Sequence, residues 1–265
     1  MGPRAIAFSL RTVKKRLDVL LVERGLAESR AQAQALVMAG RVRGFDKAGQ
    51  QVDEAVELDL TQPARFVSRG GEKLDHALDM FGVDPRGRAA IDVGASTGGF
   101  TDALLQRGAA RVIALDVGRG QLHERLRDDP RVTVMESVNA RHLTELPFAP
   151  ELVVADVSFI SLRQVLPPVL RLARAEWEAV ALVKPQFEAG RADVKGGVVR
   201  EAAVQARVLR EIAEAAAGWD AATVGVTDSG LPGPKGNREF FLHLRHRENA
   251  QVPPQLDDWI RDAVG

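Results

Sequence analysis

The stretch Ile91-Asp92-Val93-Gly94-Ala95-Ser96-Thr97-Gly98-Gly99-Phe100 constrains the fold more than any other part of the chain. An apolar run stops at a glycine-rich turn and restarts as a helical pattern, which reads as strand, tight turn and helix. The same alternation continues on both sides. The spacing predicts helix 71–81, strand 89–93, helix 100–107, strand 111–115, helix 120–127 and strand 132–135. Strand 151–155, helix 161–174, strand 178–183 and helix 201–217 follow. Strands alternating with helices imply an α/β domain: a mostly parallel sheet covered on both faces. Two last strands, near 221–227 and 239–246, are joined by SGLPGPKGN with no helix between them. They are expected as an antiparallel pair at the sheet edge.

A different texture precedes this. Residues 16–24 read as a short helix, with Leu17, Leu20 and Leu21 on one face and Gly25 at its end. Ser29 is placed to cap a second helix, Arg30 to Ala39, that stops at Gly40. Then RVRG (41–44), a DKAGQ turn (46–50) and VELDL (56–60) suggest a small β-hairpin. The expected division is a disordered leader at 1–14, a small α+β domain at 15–61, a linker at 62–70 marked by Pro63, and the large domain at 71–247. A tail at 248–265 carries Leu256, Trp259, Ile260 and Val264 at helical spacing, which predicts a short docked helix.

The chain is neutral overall, with 36 Lys/Arg and 36 Asp/Glu, but residues 1–45 hold nine basic residues against three acids. A basic segment on a neutral protein is a candidate nucleic-acid contact, and a solvated basic face accounts for the charge equally well. The chain has no cysteine, which excludes disulfides, thiolate metal sites and cysteine nucleophiles and fits a cytoplasmic protein. The five histidines are scattered and no metal site is expected. No apolar run approaches the roughly 18 residues of a membrane span, so no stable membrane association is expected.

The turn at 94–99 is neither the dinucleotide pattern G-x-G-x-x-G nor a phosphate-cradling loop, because it lacks the Lys-Ser/Thr of the latter. Gly94, Gly98 and Gly99 let the backbone approach a ligand, with Ala95, Ser96, Thr97 and Phe100 completing the loop and helix start. With Asp92 just before it, such a loop suits a cationic, phosphate-free nucleoside such as S-adenosylmethionine. Asp92 can face its ammonium group, and Asp116, ending the next strand, can take the ribose hydroxyls. Asn139 is a weaker adenine-side candidate, for which a loop hydrogen bond is the plainer reading.

Four charged residues complete the picture: Lys73, Asp156, Lys184 and Glu239. S-adenosylmethionine carries an activated methyl, so the protein must orient an acceptor and manage its proton. Methylation at pyrimidine carbon five normally needs the absent cysteine. Amino-group methylases usually place an Asn/Asp-Pro-Pro-aromatic tetrad where this chain has Asp156-Val157-Ser158-Phe159. A ribose 2′-hydroxyl is an acceptor these exclusions leave open; it is a poor nucleophile that benefits from a base. Lys184 is the expected base, helped by Lys73, Asp156 and Glu239. Singly, each of these residues is read more simply as a surface salt bridge; the reading rests on their combination.

These residues carry a family resemblance. RLDVLLVERGLAESRAQAQALVMAGRV with VELDL resembles the S-four-like RNA-binding domain, which implies that Arg16, Arg30, Arg41 and Arg43 meet RNA phosphates. The chain departs from that pattern with Gly44-Phe45-Asp46 where Asn-Gly is frequent, so the hairpin contact is less secure than the helix contact. Region 71–246 resembles the FtsJ-type ribose methyltransferases, whose Lys-Asp-Lys-Glu set is matched by Lys73, Asp156, Lys184 and Glu239. From about 15 to 247 the chain resembles the TlyA/hemolysin A family through DVGASTGGFTD, ALDVGRGQL, ADVSFISL, LVKPQFE, GGVVR and GPKGNREFF. That resemblance implies a Rossmann-like S-adenosylmethionine-dependent methyltransferase sheet behind a small RNA-binding domain. It also implies 2′-O-methylation of ribosomal RNA, with ribosomal RNA or ribosomal subunits as partners and a cytidine as target. Phe159 and Phe187 flank the site and are candidates to stack on the target base, with core packing as the alternative. The loop 188–200 reads as a lid or RNA clamp, or as an ordinary mobile loop. Two rival functions remain. One is a non-catalytic RNA-binding assembly factor. The other is a membrane-active hemolysin, for which the tail helix is the sole candidate element.

Overall fold

The computed structural model describes residues 13–38, 40–61 and 64–265. They form two compact units that divide between Ala64 and Arg65. Most of the expected leader, together with Ala39 and Pro63, lies outside the described residues.

In the smaller unit, β1 (Lys14–Arg16) pairs antiparallel with β2 (Gln51–Asp53), and α1 (Leu17–Glu23) and α2 (Arg30–Met38) complete the fold. Leu17, Leu20, Leu21, Ala33, Val37 and Val52 form its core. Both helices stop where the sequence places glycine, Gly25 and Gly40 having φ of +71° and +65°. The Ser29 hydroxyl accepts from the Gln32 amide at 3.2 Å, the expected cap. The hairpin expected from RVRG and VELDL is corrected. Those segments share one bridge, Val42 with Leu60, and the continuous ladder joins 14–16 to 51–53 instead. The alternation in VELDL is satisfied by an extended segment that packs Val56, Leu58 and Leu60 onto the core without a full partner strand.

The larger unit holds seven strands: β3 (Ala89–Val93), β4 (Arg111–Asp116), β5 (Val132–Glu136), β6 (Leu152–Ala155), β7 (Glu178–Val183), β8 (Ala221–Asp228) and β9 (Phe240–His246). Their order is β5-β4-β3-β6-β7-β9-β8. The first five are parallel, and β9 runs antiparallel between β7 and the edge strand β8. Period-two alternation sends successive residues to opposite faces. Ile91 and Val93 join a core under α6 (Leu162–Leu170), α8 (Ala202–Ala217) and α9 (Leu256–Val264). Ala90, Val112 and Val154 face the other way, under α3 (Arg69–Phe81) and α4 (Gly99–Gln106). The helix expected at 120–127 shortens to α5 (Glu124–Arg127), and α7 (Pro185–Glu188) follows β7. Part of the expected linker belongs to this unit. Phe66 is buried in its core, Arg65 pairs with Asp75, and the Val67 amide donates to Asp102 at 2.9 Å.

This topology makes the site. Parallel strands release their carboxyl ends along one edge. Register pairs Val93 with Leu115 on one side and Ala155 on the other, and Ala155 with Ala181. Asp116, Asp156, Lys184 and the turn after Val93 therefore leave the sheet side by side.

Candidate active site

The glycine turn is built for close approach. Gly94 has φ +87°, and a Cβ there would lie 2.4 Å from the Asp156 carbonyl oxygen. Gly98 has φ +94°, and its hypothetical Cβ would meet Leu126 at 2.3 Å. Gly99 sits against Ser68 and Gly71, letting α4 start beside α3. Ser96 adopts φ +49° without being glycine, a backbone strain that such turns carry at ligand sites. Its amide donates to Asp116 Oδ2 at 2.8 Å, while the Gly118 amide donates to Oδ1 at 2.7 Å. Asp116 is thus fixed by main chain at the end of β4. Ala95 and Phe100 are buried, and the Phe100 ring lies 5.9 Å from that of Phe241, so Phe100 is core that also floors the site.

Two adjoining clefts open here. One of about 480 Å³ is lined by Asp116, Val117, Gln121, Val138 and Asn139 among others. The other, of about 240 Å³, is lined by Asp92 and all four of Lys73, Asp156, Lys184 and Glu239. They share Gly94, Ser96, Asp156 and Ser158. The larger has the size of an ordinary small-molecule pocket. Asn139 lines it, although its Oδ1 accepts from the Arg141 amide at 3.1 Å, the plainer role foreseen for it.

The four charged residues form two ion pairs. Lys73 Nζ donates to Glu239 Oε2 at 2.5 Å, and both side chains are buried. Lys184 Nζ touches Asp156 Oδ1 as an ion pair, without hydrogen-bond alignment, and donates to Ser158 Oγ at 3.0 Å. Lys184 is held in place by α7, whose Pro185 fixes the turn immediately after it.

Asp92 is fully buried. Its Oδ2 accepts from the Thr101 amide at 2.8 Å and the Thr101 hydroxyl at 2.7 Å. Burial pushes its carboxyl up to about 7 against those hydrogen bonds, and Asp156 and Asp116 push it the same way. Asp92 Oδ1 and Glu239 Oε1 accept no hydrogen bond although both are buried. Unpaired buried carboxylate oxygens are costly. Carboxylates at 92, 116, 156 and 239 outnumber the two lysines, so this lining suits a cationic ligand and repels phosphate. S-adenosylmethionine, a sulfonium and ammonium cation without phosphate, fits that donor set.

Several functional-looking residues were not evident in sequence. Glu188, buried and with its carboxyl pushed up by burial, accepts from the Ser161 hydroxyl at 2.5 Å and the Leu162 amide at 2.7 Å. It ties the loop after Asp156 to the one after Lys184. Asn237 is also buried and bonds two loops. Phe159 is 91% exposed with φ +64° and lies 4.9 Å from the Phe187 ring, so core packing does not account for it. His243 bonds Glu178 at 2.7 Å, within the sheet. In the smaller unit Arg16 and Arg30 donate to buried Asp18, Arg41 donates to the Thr61 carbonyl, and Arg43 pairs with Asp59 at 3.3 Å. Each guanidinium has five donors, so these bonds leave others unused, and Arg16, Arg30 and Arg43 remain substantially exposed. Asp18 was missed because an acid inside an amphipathic helix reads as solvent-facing. Its carboxyl is held well below the usual range by Arg16, with Gln34 and Arg30 adding to the effect.

Comparison with known proteins agrees with this architecture. The FtsJ-like methyltransferase family model matches residues 66–246, and the S4 domain model matches 15–43. The chain is 46% identical over 263 residues to the Mycobacterium tuberculosis 16S/23S rRNA (cytidine-2′-O)-methyltransferase TlyA, covering 95% of this chain and 97% of that one. It is 46% identical over 254 residues to the Bacillus subtilis protein YqxC, covering 92% and 90%. A solved chain from Streptococcus thermophilus, “Putative hemolysin”, superimposes with a TM-score of 0.73 at 41% identity, covering 94% of each. The chain belongs to the FtsJ-like methyltransferases and, along nearly its whole length, to the TlyA/hemolysin A family within them.

Proposed function

We propose that this protein is a ribosomal RNA 2′-O-methyltransferase that uses S-adenosylmethionine and acts on a cytidine ribose in the cytoplasm. One observation carries the reading: Lys73, Asp156, Lys184 and Glu239 line a single small cleft that opens onto the cleft of Asp116 and the glycine turn. The TlyA relative, named for that reaction, supports it across both domains. The S4 domain supports an RNA substrate.

Asp92 and Asp116 would hold the cofactor, Asp92 through its free Oδ1 and Asp116 at the ribose. When bound, S-adenosylmethionine supplies a methyl already activated on a sulfonium. The chain does the rest. Lys184 would take the proton of the ribose 2′-hydroxyl as that oxygen accepts the methyl, the S–CH3 bond breaking with its electron pair left on a neutral thioether. Asp156 and Ser158 aim the Lys184 amine. Lys73, fixed by Glu239, orients the hydroxyl. Phe159 offers an exposed face on which the target base stacks. Arg16, Arg30, Arg41 and Arg43 bring phosphates to the smaller unit. Among the described residues no helix is long and apolar enough to cross a membrane.

The test is transfer of labelled methyl from S-adenosylmethionine to unmodified ribosomal subunits. Wild type should label RNA, and Lys184→Ala should lower the rate by at least about 100-fold. Tight RNA binding with no label in any subunit or free RNA would favour an assembly factor instead.

A further inference from the structure

The buried amide of Asn237 is one of the most completely bonded polar groups near the site, yet the reaction gives it no role. Its Oδ1 accepts from the Val199 amide at 3.2 Å, and its Nδ2 donates to the Gly197 carbonyl at 3.0 Å and the Pro234 carbonyl at 3.1 Å. Its own carbonyl accepts from the Gly233 amide at 2.8 Å. The residue is 3% exposed. It therefore closes the 233–237 turn on itself and fastens that turn to the segment that follows Lys184 and α7.

The turn matters because of what it touches. Glu239 Oε1 lies so close to Gly233 that a Cβ there would meet it at 2.1 Å. Glu239 Oε2 holds Lys73. The Glu239 main chain is fixed separately, its carbonyl accepting from the Ser229 amide at 2.9 Å. What remains to be set is the side chain, and Gly233 forms its wall. We propose that Asn237 is a positioning residue: by locking the Gly233–Asn237 turn to Gly197 and Val199, it holds the Glu239 carboxylate in the rotamer that engages Lys73.

Asparagine is required by this arrangement. It must present one acceptor and two donors at once. Aspartate keeps the shape but points a carboxylate oxygen at two carbonyls. Alanine leaves the buried Val199 amide without its acceptor and removes both donors that tie the turn to the Gly197 and Pro234 carbonyls.

The test has two arms, of which the rate arm rests on the methyltransferase reading. In wild-type background, Asn237→Asp should lower kcat at least about tenfold, since displacements near 1 Å cost that much or more, with the KM for S-adenosylmethionine within about twofold. In a Glu239→Gln background the same change should lower kcat less than about twofold, because a residue acting through Glu239 has nothing left to position. Equal factors in both backgrounds would overturn the proposal. The second arm needs no activity: amide hydrogen exchange at Val199 and Gly233 should quicken in Asn237→Asp while β3 amides stay protected. Unchanged protection at both amides would also overturn it, and a wild type inactive on every RNA would refute the proposed reaction while leaving this arm to decide. If Asn237→Asp does not fold, Asn237→Ser is read in the same two arms.

Discussion

Replacing Asp92 by asparagine should separate what this residue costs the fold from what it gives the site. The carboxyl is fully buried at the end of β3 and titrates near 7, whereas an unfolded aspartate titrates near 3.8. Between those values the native state holds a proton that the unfolded state has released. Raising pH across this window therefore weakens the fold, and the loss is complete above about pH 7. From pH 5 to the native titration near 7 there are about two units, which at 1.36 kcal/mol each amount to about 3 kcal/mol. The asparagine amide would keep an acceptor for the Thr101 amide and carry no charge. The Asp92→Asn protein should thus match wild type near pH 5 and exceed it by about 3 kcal/mol at pH 8.5, read from urea unfolding without cofactor. S-adenosylmethionine binding should show the opposite dependence. Wild-type affinity should rise as pH passes 7 and Asp92 becomes an anion facing the cofactor ammonium, while the variant should bind weakly and without that rise. Parallel stability curves for the two proteins from pH 5 to 8.5 would refute the buried titration and the argument built on it.

Two further outcomes follow from single residues. Gly94→Ala places a side chain in the left-handed region and 2.4 Å from the Asp156 carbonyl oxygen, so it should cost about 2–5 kcal/mol in thermal unfolding and abolish cofactor binding; an unchanged midpoint with intact binding would contradict the close-approach argument. Asp18→Asn removes the charge that Arg16 and Arg30 share and one of the two acceptor oxygens; because both guanidiniums stay about half exposed, the loss should be about 1–3 kcal/mol. It should speed hydrogen exchange across α1 and α2 while β3 stays protected. In wild type the contribution of Asp18 is present above the ordinary carboxylate range and lost as pH falls below it, so acid should loosen the smaller unit first, and uniform loosening would count against it.

The parallel sheet was legible because its strands are apolar, bounded and separated by amphipathic helices, and because parallel order sends their polar end residues to one edge. Asp116, Asp156 and Lys184 could be named for that reason alone. Lys73 and Glu239, a helix lysine and a residue before an antiparallel strand, carry no such positional signal and could be read only in combination with the other two. The three-residue strands β1 and β2 are too short to show a period, so the small domain's ladder was misplaced. Phe66 reads as linker because one aromatic among Arg and Ser residues has no periodic partners, yet it is core. Asn237 and Glu188 escaped notice for a shared reason: their partners are mostly main-chain atoms of distant loops, which leave no pattern in sequence. Gly233 looked like turn chemistry, and only the structure shows that it makes room for the Glu239 carboxylate.

Lys184 is assigned the removal of a ribose hydroxyl proton in a cleft shared with Lys73, Asp156 and Glu239. The most direct measurement is the chemical nature of the product: ribosomal RNA treated with the protein and S-adenosylmethionine, hydrolysed in alkali and mapped. One alkali-resistant linkage at a cytidine is expected, absent with Lys184→Ala although that variant still binds RNA and cofactor. A methyl group found on a base, or an alkali-resistant linkage formed equally by Lys184→Ala, would contradict it.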